Sequence, residues 1–389
     1  MEGRFTTWNT RFKTWKNDPA AATFPVGGKT VVTAQEGEIN FEDMNDLSFA
    51  SISFPVNYDP NNNNFNASIF YNKLANTESS VSLLVTFQFA PTLFGNTLAL
   101  ESYESDLDLE IDEDGFGLAK SLFKDKLMVG ASISVLLLDL ESTFSTNFIG
   151  SNGFDHDPSN AFSSGNQLAV IYKREKDVAF RFGALYRITD KLTIAGSAQI
   201  MPEFDYDTEY IAFLDSNSNV LPNFTDRSGL SVPDVFSIGL SCQITDKWMV
   251  SAEGRYIEYS DLEKGFVSFW GTDLTSFDRN QFDIADIWET NFGTEYIFNL
   301  KKMPIALRLG GFYEPAHSLE FDAILDPTDL LPNIDVLYED LIDGGDDVFH
   351  FTAGAGTVIN NKLQIDAAAD IQDDGNQMTF VMSGIYKLF

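Results

Sequence analysis

The side chains best suited to catalysis or metal binding are few in this chain and lie far apart. Its three histidines are His156, His317 and His350, and they lack the spacing of a metal-binding motif. The single cysteine, Cys242, can neither form an internal disulfide nor anchor a thiolate cluster. The sequence contains no Gly-x-Ser-x-Gly segment and no phosphate-binding loop. It therefore predicts that the protein is not an enzyme and that it holds no metal ion or cofactor.

Two short segments begin like functional motifs and then depart from them. Residues 110–115 start like a calcium-binding loop, but the twelfth position is Ser121, where a bidentate glutamate is needed. Ser151 begins a Ser-Asn-Gly segment similar to the nucleophile segment of the outer-membrane phospholipases. That family has a histidine two residues before the serine, and Ile149 takes this place here. Solvated acid is the better interpretation of the first segment, and the second does not favour an enzyme.

The chain is strongly acidic and rich in aromatic residues. Its 389 residues include 58 Asp and Glu against 25 Lys and Arg, which gives a formal net charge of −33. Nucleic acids and anionic lipid surfaces are disfavoured as partners because they repel so much negative charge. The 44% hydrophobic and 14% aromatic content excludes a disordered acidic chain.

Membrane helices and export signals are not visible in the sequence. No apolar run approaches the ~18 residues that a membrane helix requires. The first 18 residues lack the apolar core of a signal peptide. We therefore expect that, if the protein is exported, its true N-terminus is missing or misassigned here.

Alternating apolar and polar residues run along most of the chain, broken by short turns that carry a lysine. The segment Ile-Thr-Asp-Lys occurs at 188–191 and again at 244–247. Related turns recur at similar intervals, and the matched lysines are Lys126, Lys191, Lys247, Lys302 and Lys362. A period of two is the signature of a β-strand, and Thr-Asp-Lys between two such strands indicates a tight hairpin turn.

We count fourteen strands from this alternation. They lie near 28–36, 46–56, 63–74, 105–120, 126–142, 177–188, 191–204, 231–245, 247–260, 285–299, 303–315, 347–359, 362–372 and 376–389. Segments 80–100 and 165–175 are apolar enough for additional strands or loop helices. The strands are longer than the ~5–6 residues usual in soluble proteins and reach the ~9–11 that cross a bilayer. The acidic segments between them, predicted as loops, are 143–176, 205–230, 260–284 and 316–346.

Alternation alone fits a soluble sandwich as well as a membrane barrel. Short turns at one end and long loops at the other favour an all-β fold, a transmembrane antiparallel β-barrel of about fourteen strands. In such a barrel the apolar face meets lipid and the charged face lines the lumen. We therefore predict that these residues point inward: Arg181, Glu253, Arg255, Glu289, Glu295, Arg308, Asp366 and Asp370.

The strand count and one hairpin resemble the outer-membrane transporters of long-chain fatty acids and aromatic hydrocarbons, the FadL/TodX/OmpP1 type. The residues that carry the resemblance are Pro233, Gly239, Asp246, Lys247, Trp248, Tyr256, Tyr259, Ser260 and the terminal Phe389. The likeness covers roughly residues 17–389. A terminal phenylalanine closing an alternating strand is similar to the outer-membrane assembly signal, although Lys387 stands where that signal has an aromatic residue.

The resemblance implies two parts. Members of the family fill the barrel with an N-terminal hatch bearing an Asn-Pro-Ala motif. Residues 1–28 are accordingly expected to form a hatch-like plug, and residues 29–389 the barrel with long extracellular loops. In the plug, either Asn17, Pro19 and Ala20 match the motif with Asp18 inserted, or the segment around Pro25 takes its place. The family also releases its ligand sideways through a gap at a kinked third strand. The matching strand here is 63–76, where alternation is loose around Asn72 and Lys73, as a bulge would make it.

Candidate ligand contacts fall into two groups. Apolar residues in the predicted loops could line a hydrophobic groove, or they could pack the loops on one another; they include Phe144, Phe148, Phe213, Phe266 and Trp270. Four lumen arginines, Arg181, Arg187, Arg255 and Arg308, could attract a carboxylate, or they could pair with lumen acids.

The sequence thus predicts passive transport of hydrophobic small molecules across the bacterial outer membrane. The expected partners are a hydrophobic ligand, outer-membrane lipids, lipopolysaccharide and the barrel assembly machinery. Two alternatives remain open at this point, a porin-like polar diffusion channel and a structural or adhesive barrel.

Overall fold

The computed structural model describes residues 2–7, 13–16, 24–26, 30–41, 45–57, 65–88, 98–151, 167–211, 223–262, 282–300, 303–317, 320–321, 346–360, 362–373 and 378–386. The strands in these ranges are β1 (Glu2–Thr7), β2 (Lys13–Lys16), β3 (Phe24–Val26), β4 (Thr30–Phe41), β5 (Asn45–Asn57), β6 (Phe65–Gln88), β7 (Leu98–Leu122), β8 (Leu127–Ser151), β9 (Gln167–Arg187), β10 (Leu192–Ile200), β11 (Glu203–Ile211), β12 (Phe224–Ser231), β13 (Val235–Thr245), β14 (Trp248–Ile257), β15 (Phe282–Asp283), β16 (Ile287–Leu300), β17 (Met303–Glu314), β18 (Glu320–Phe321), β19 (Val348–Ile359), β20 (Leu363–Gln372) and β21 (Met378–Tyr386). A short 3-10 helix, η1, spans Tyr259–Leu262. In this part of the chain no helix is long and apolar enough to cross a membrane.

The described strands contain a closed antiparallel ring of fourteen members. Each strand pairs with the next in the order β1, β5, β6, β7, β8, β9, β10, β13, β14, β16, β17, β19, β20 and β21. The ring closes because β21 pairs with β1. A closed ring has no edge strand, which is the condition for a sheet to stand in hydrocarbon. The predicted barrel of about fourteen strands is confirmed.

The two faces of the ring differ as a membrane barrel requires. On one face large apolar side chains are exposed, such as Phe292 at 64%, Leu309 at 63% and Phe351 at 62%. The other face is the inner one, because Ser51 of β5 and Arg181 of β9 line a common cavity although β6, β7 and β8 separate their strands along the wall. The exposed apolar face is therefore the outer, lipid-facing belt.

The charged residues predicted to point inward occupy that inner face. Glu295, Arg308 and Asp366 line a second cavity together with residues of β14, β19 and β21. Arg181 pairs with Glu113, and Arg255 with Glu289, across the inner wall. Since side chains two residues apart share a face of a strand, Glu253 lies with Ser251 of that cavity, and Asp370 with Asp366.

The wall is much taller on one side than on the other. Strands β6, β7, β8 and β9 have 24, 25, 25 and 21 residues, whereas β16 and β17 have 14 and 12. The prediction of a loop at 143–176 is therefore wrong for 143–151 and 167–176, where β8 and β9 continue in register beyond the belt. The reason is that polar outward residues do not end a strand in water as long as its ladder partners continue.

A second predicted loop is also strand. Residues 205–211 and 224–230 belong to the paired strands β11 and β12, and β11 also pairs with the outer part of β9. Prolines at both of its ends, Pro202 and Pro233, interrupt β10 and β13 because proline cannot donate to the ladder. The interruption is bridged by Val232 N–H donating to Pro202 O at 3.1 Å and by Met201 N–H donating to Asp234 Oδ1 at 2.7 Å.

The first predicted strand, 28–36, does not belong to the ring. It is part of β4, which pairs with β2, β3 and residues 79–88 of β6. β4 pairs with this part of β6 because β5 already pairs with residues 65–72. The ring is completed instead by β1, which lies between β21 and β5. Residues 2–7 are thus wall, and any plug begins after Thr7. Asn17, Pro19 and Ala20 lie outside the described residues and Pro25 lies in β3, so a plug formed by the remaining residues up to 28 stays a prediction.

The lysine-bearing turns all lie at one end of the barrel. They join β7 to β8, β9 to β10, β13 to β14, β16 to β17 and β19 to β20. Backbone at two of them is left-handed, with φ of 53° to 64° at residues 123–125 and 51° at Asn360, so the reversals are tight. Because short turns lie on the periplasmic side of outer-membrane barrels, we expect the tall wall to lie outside the cell.

This orientation can be checked by cysteine labelling in a Cys242→Ala background. A membrane-impermeant maleimide should label Glu141→Cys, on the tall wall, in intact cells. It should label Asp190→Cys or Asp246→Cys, at the turns, only after the outer membrane is permeabilised. Surface labelling at either turn position would reverse the orientation.

The lipid-facing belt gives a second expectation. Phe292→Arg places a charge against hydrocarbon and should lower the free energy of unfolding by about 2–4 kcal/mol. The neighbouring substitution Asn291→Arg points into the lumen and should cost much less. Denaturant titration in lipid vesicles measures both, and equal losses for the pair would contradict the assignment of the faces.

Candidate functional site

The ring is interrupted between its second and third strands. The β5–β6 ladder ends at Phe49↔Asn72, and the β4–β6 ladder begins at Phe41↔Ser79. Among the described residues no strand pairs with this edge of β6 at 73–78. Residues 45–47 of β5 pair only with β1, on their other edge. In the described part of the chain the β5–β6 pairing is therefore interrupted at 73–78 of β6, at the outer edge of the apolar belt just beyond exposed Ile69, and we call this interruption the lateral gap. Residues 42–44, between β4 and β5, lie outside the described residues.

Both strands that flank the gap carry a register shift. In β6 the shift lies between Lys73 and Ala75, so Leu74 is the extra residue. In the β1–β5 ladder the shift leaves Ser48 between the partners of Arg4 and Phe5. A bulge bends its strand and ends regular pairing, which is how two neighbouring strands can part without leaving the ring. The irregularity predicted near Asn72 and Lys73 is confirmed.

Polar contacts hold β6 to β7 at the level of the bulge. Lys73 forms an ion pair with Glu110, and its Nζ lies 3.8 Å from Asp112 Oδ1. The Tyr71 hydroxyl donates to the same Asp112 oxygen at 2.6 Å. These contacts brace the β7 side of β6, so the parting of the wall is confined to the β5 side.

An apolar cluster lies on the inner face beside the gap. Its buried members are Ile111, Leu136, Leu138, Leu140, Ile171, Ala179, Phe204 and Tyr206. Phe204 and Tyr206 belong to β11, and this strand reaches the other members of the cluster because the chain bends at Pro202. Leu74 and Ala75 of the bulge pack against this cluster. The apolar interior is thus continuous with the flank of the gap.

A cavity of about 670 Å³ lies next to the cluster, within the size range of small-molecule sites. Phe49 and Phe70 line it together with small polar side chains: Ser51, Ser53, Asn66, Ser68 and Asn72. Its floor is charged. Glu113, which is fully buried, pairs with Arg181 and accepts a hydrogen bond from Asn72 Nδ2 at 3.1 Å and from Ser134 Oγ at 2.5 Å.

A second cavity, of about 610 Å³, lies against the opposite wall. Arg308 crosses it, with Nε donating to Glu295 Oε2 at 2.7 Å and Nη1 donating to Asp366 Oδ1 at 2.5 Å. Nearby, Arg255 Nη1 lies 3.1 and 3.3 Å from the two oxygens of Glu289. Arg181, Arg255 and Arg308 are therefore each paired with carboxylates of the lumen, whereas Arg187, at the turn end of β9, has no ion pair among the described residues.

Two histidines meet two carboxylates at the outer end of this wall. His350 Nδ1 lies 2.9 Å from Asp370 Oδ2, and its Nε2 lies 3.4 Å from Glu314 Oε2. The other oxygen of Glu314 lies 3.4 Å from His317 Nε2. The His350 ring stacks on Phe312 at 3.9 Å between centroids. Nowhere in the described ranges are three such groups arranged to hold a metal ion. The contacts of this network link β17, β19 and β20.

The outer rim is fixed by tyrosines and aspartates. Hydrogen bonds from the Tyr313 hydroxyl and from Ala316 N–H hold the pKa of Asp347 below its usual range. Tyr259 of η1 stacks on His317 at 4.4 Å. Burial, together with the nearby charges of Glu314 and Glu289, raises the pKa of Tyr259. The rim hydroxyls thus stay protonated and can donate hydrogen bonds.

Most of the apolar candidates from the sequence lie outside the described residues, namely Phe213, Phe266 and Trp270. Phe148 lies in the outer part of β8, and Phe144, also in β8, is half-buried. Sequence reasoning missed the bulged Leu74, the cluster around Leu136 and the buried Glu113. Glu113 has the same parity as Gly115 and Gly117, and such small residues on the other side of the strand from Phe116 could have marked the inner face.

Residues 115–322 match the model of a family described as outer membrane protein transport protein (OMPP1/FadL/TodX). The match spans more than half of the chain. The chain belongs to this family. Transport is therefore its class of activity and the bacterial outer membrane its location, and the family is one of transporters rather than enzymes.

Solved structures support the same fold. A crystal structure of a Pseudomonas aeruginosa FadL homologue has a TM-score of 0.51 and 12% identity, and the alignment covers 100% of this chain and 88% of that one. A deletion mutant of the monoaromatic hydrocarbon channel TodX has a TM-score of 0.50 and 13% identity, with 99% and 89% covered. No curated protein matches the sequence at a significant level.

The Glu113–Arg181 pair predicts a large stability effect. Arg181→Met leaves a fully buried carboxylate without its cation and should cost about 3–5 kcal/mol of unfolding free energy. Adding Glu113→Gln should recover much of that loss. The exposed pair Arg174–Asp139 is the control, and Arg174→Met should cost about 1 kcal/mol or less. Equal losses at the two arginines would show that Glu113 is not an isolated buried charge.

Proposed function

We propose that the chain passively carries hydrophobic small molecules, such as long-chain fatty acids or aromatic hydrocarbons, from outside the cell into the outer membrane. The observation that carries this proposal is the lateral gap at 73–78 of β6, flanked by an apolar cluster and a cavity. An apolar solute can pass from the cluster to the gap beside Leu74 and Ala75 without crossing the charged floor at Glu113. A polar diffusion channel releases its solutes through the lumen and does not require a lateral gap that faces lipid.

Burial supplies the driving force along this route. Removing apolar surface from water is worth about 25 cal/mol per Å², so each apolar contact favours entry over the aqueous exterior. The hydrocarbon of the bilayer offers the same gain, and a solute released through the gap therefore loses little on leaving the cluster. Transport down such a gradient requires no ATP, catalytic group or redox cofactor.

Other partners follow from the outer surface. Outer-membrane lipids would cover the apolar belt, and lipopolysaccharide would surround the tall wall of β6 to β9. The barrel assembly machinery would insert the chain through its C-terminal strand, β21.

The candidates Phe144, Phe148, Phe213, Phe266 and Trp270 would guide the ligand towards the apolar cluster. The remaining N-terminal residues up to 28 would plug the lumen.

Removing the bulge tests the route. Deletion of Leu74 should bring Lys73 and Ala75 into one register, extend the β5–β6 ladder and reduce hydrophobic uptake by about tenfold or more. The matched control is Leu74→Ala, which removes most of the same side chain but keeps the extra backbone residue. It should retain most uptake.

Uptake of a radiolabelled hydrophobic solute by cells with intact lipopolysaccharide is the measurement. Heat-modifiable migration on gels shows whether each variant is a folded barrel. A folded deletion variant that transports as well as wild type would rule out the gap as the exit.

A further inference from the structure

Three of the four candidate arginines, all except Arg187 at the turn end of β9, are matched by carboxylates of the described inner wall. Arg181 donates to Glu113, to Ser134 Oγ at 3.3 Å and to Gln199 Oε1 at 3.1 Å. Arg308 is shared between two carboxylates, so the set Glu295–Arg308–Asp366 carries a net negative charge. Arg255 is matched by Glu289, which also accepts a hydrogen bond from Asn291 at 2.8 Å.

Further carboxylates on the same face have no arginine or lysine of their own. Glu314 and Asp370 are contacted by His317 and His350. Glu253 follows Ser251 on the inner face, and no ion pair involves it within the described ranges. The inner wall is therefore negative overall, in keeping with the chain as a whole.

We infer that this lumen selects uncharged hydrophobic molecules and rejects those that carry a carboxylate, and that Glu295 and Asp366 are specificity-determining residues. The inference rests on the proposed function and narrows its substrate class. Like charges repel most strongly where water is scarce, so an anionic head group meets a barrier in a lumen of excess acid. An arginine already bound to two carboxylates cannot repay the desolvation of a third. An alcohol or hydrocarbon of the same chain length meets neither cost.

The test compares two solutes that differ only in the head group. Radiolabelled dodecanoate and dodecan-1-ol are offered to cells that express the protein and to cells without it, at pH 7.5, where the acid is ionised. Wild type should take up the alcohol at least about tenfold faster than the acid, after the uptake by cells without the barrel is subtracted.

The decisive variant is Glu295→Gln with Asp366→Asn, which releases the cation of Arg308. It should raise the ratio of dodecanoate uptake to dodecan-1-ol uptake about tenfold. The matched control is Asp108→Asn with Glu141→Gln. These two are paired across β7 and β8 on the exposed outward face, so the control makes the same chemical changes and the same change in net charge outside the lumen. Its selectivity should equal that of wild type.

A second variant guards against misfolding of the first. Glu253→Lys adds a cation to the lumen where no ion pair is broken, and Glu141→Lys is its exterior control. Wild-type uptake of both solutes at equal rates would overturn the inference and leave hydrophobic transport standing. Equal behaviour of the lumen variants and their exterior controls would overturn it in the same way. Uptake of neither solute would overturn the proposed function, and this inference with it.

Discussion

The structure depends on the need of every backbone N–H and C=O group to find a partner where no water is present. In hydrocarbon this can be met by a sheet only if the sheet closes on itself. The ring meets the condition with β1, a strand of only six residues, which joins β5 to β21. The lateral gap must then lie where water can satisfy the unpaired backbone groups. The gap at 73–78 of β6 is placed in that way, because it opens at the outer edge of the belt rather than at its middle.

The period of two in each strand ties the chemistry of the lumen to the chemistry of the lipid face. Arg308 points inward because Leu307 and Leu309 point outward, and a slip of one residue would exchange them. Turns of fixed length keep the register from strand to strand. A bulge reverses which residues of the following part of the strand face inward. The shift at Leu74 therefore changes the inward-facing residues of β6 after Ala75, whereas those before Lys73 keep their faces.

Much of the fold could be predicted from the sequence because alternation is a local signal. The ring strands between 105 and 372, the five lysine turns and the irregularity near Lys73 were visible in this way, whereas the hairpin β11–β12 was not. The short β1 was also missed, since its six residues contain one large apolar side chain, Phe5, and show too little alternation. The continuation of β8 and β9 beyond the belt was missed because a strand in water needs no apolar outer face. At the site, pairing partners such as Glu113 for Arg181 are 68 residues apart, and only the ring brings them together.

The height of the β6 to β9 wall has a consequence for where a solute is first captured. Strands of about 25 residues, at roughly 3.3 Å per residue and a tilt near 40°, rise well beyond the ~25 Å apolar band. In the expected orientation the surplus would lie at the level of the sugar layer of the outer leaflet, and its inner side carries Leu138 and Leu140. The inner face of the extended wall is therefore apolar beyond the membrane belt. On the proposed route, a solute adsorbed at the outer end of this wall would bypass the sugar layer, the part of the envelope that hydrophobic molecules cross least readily.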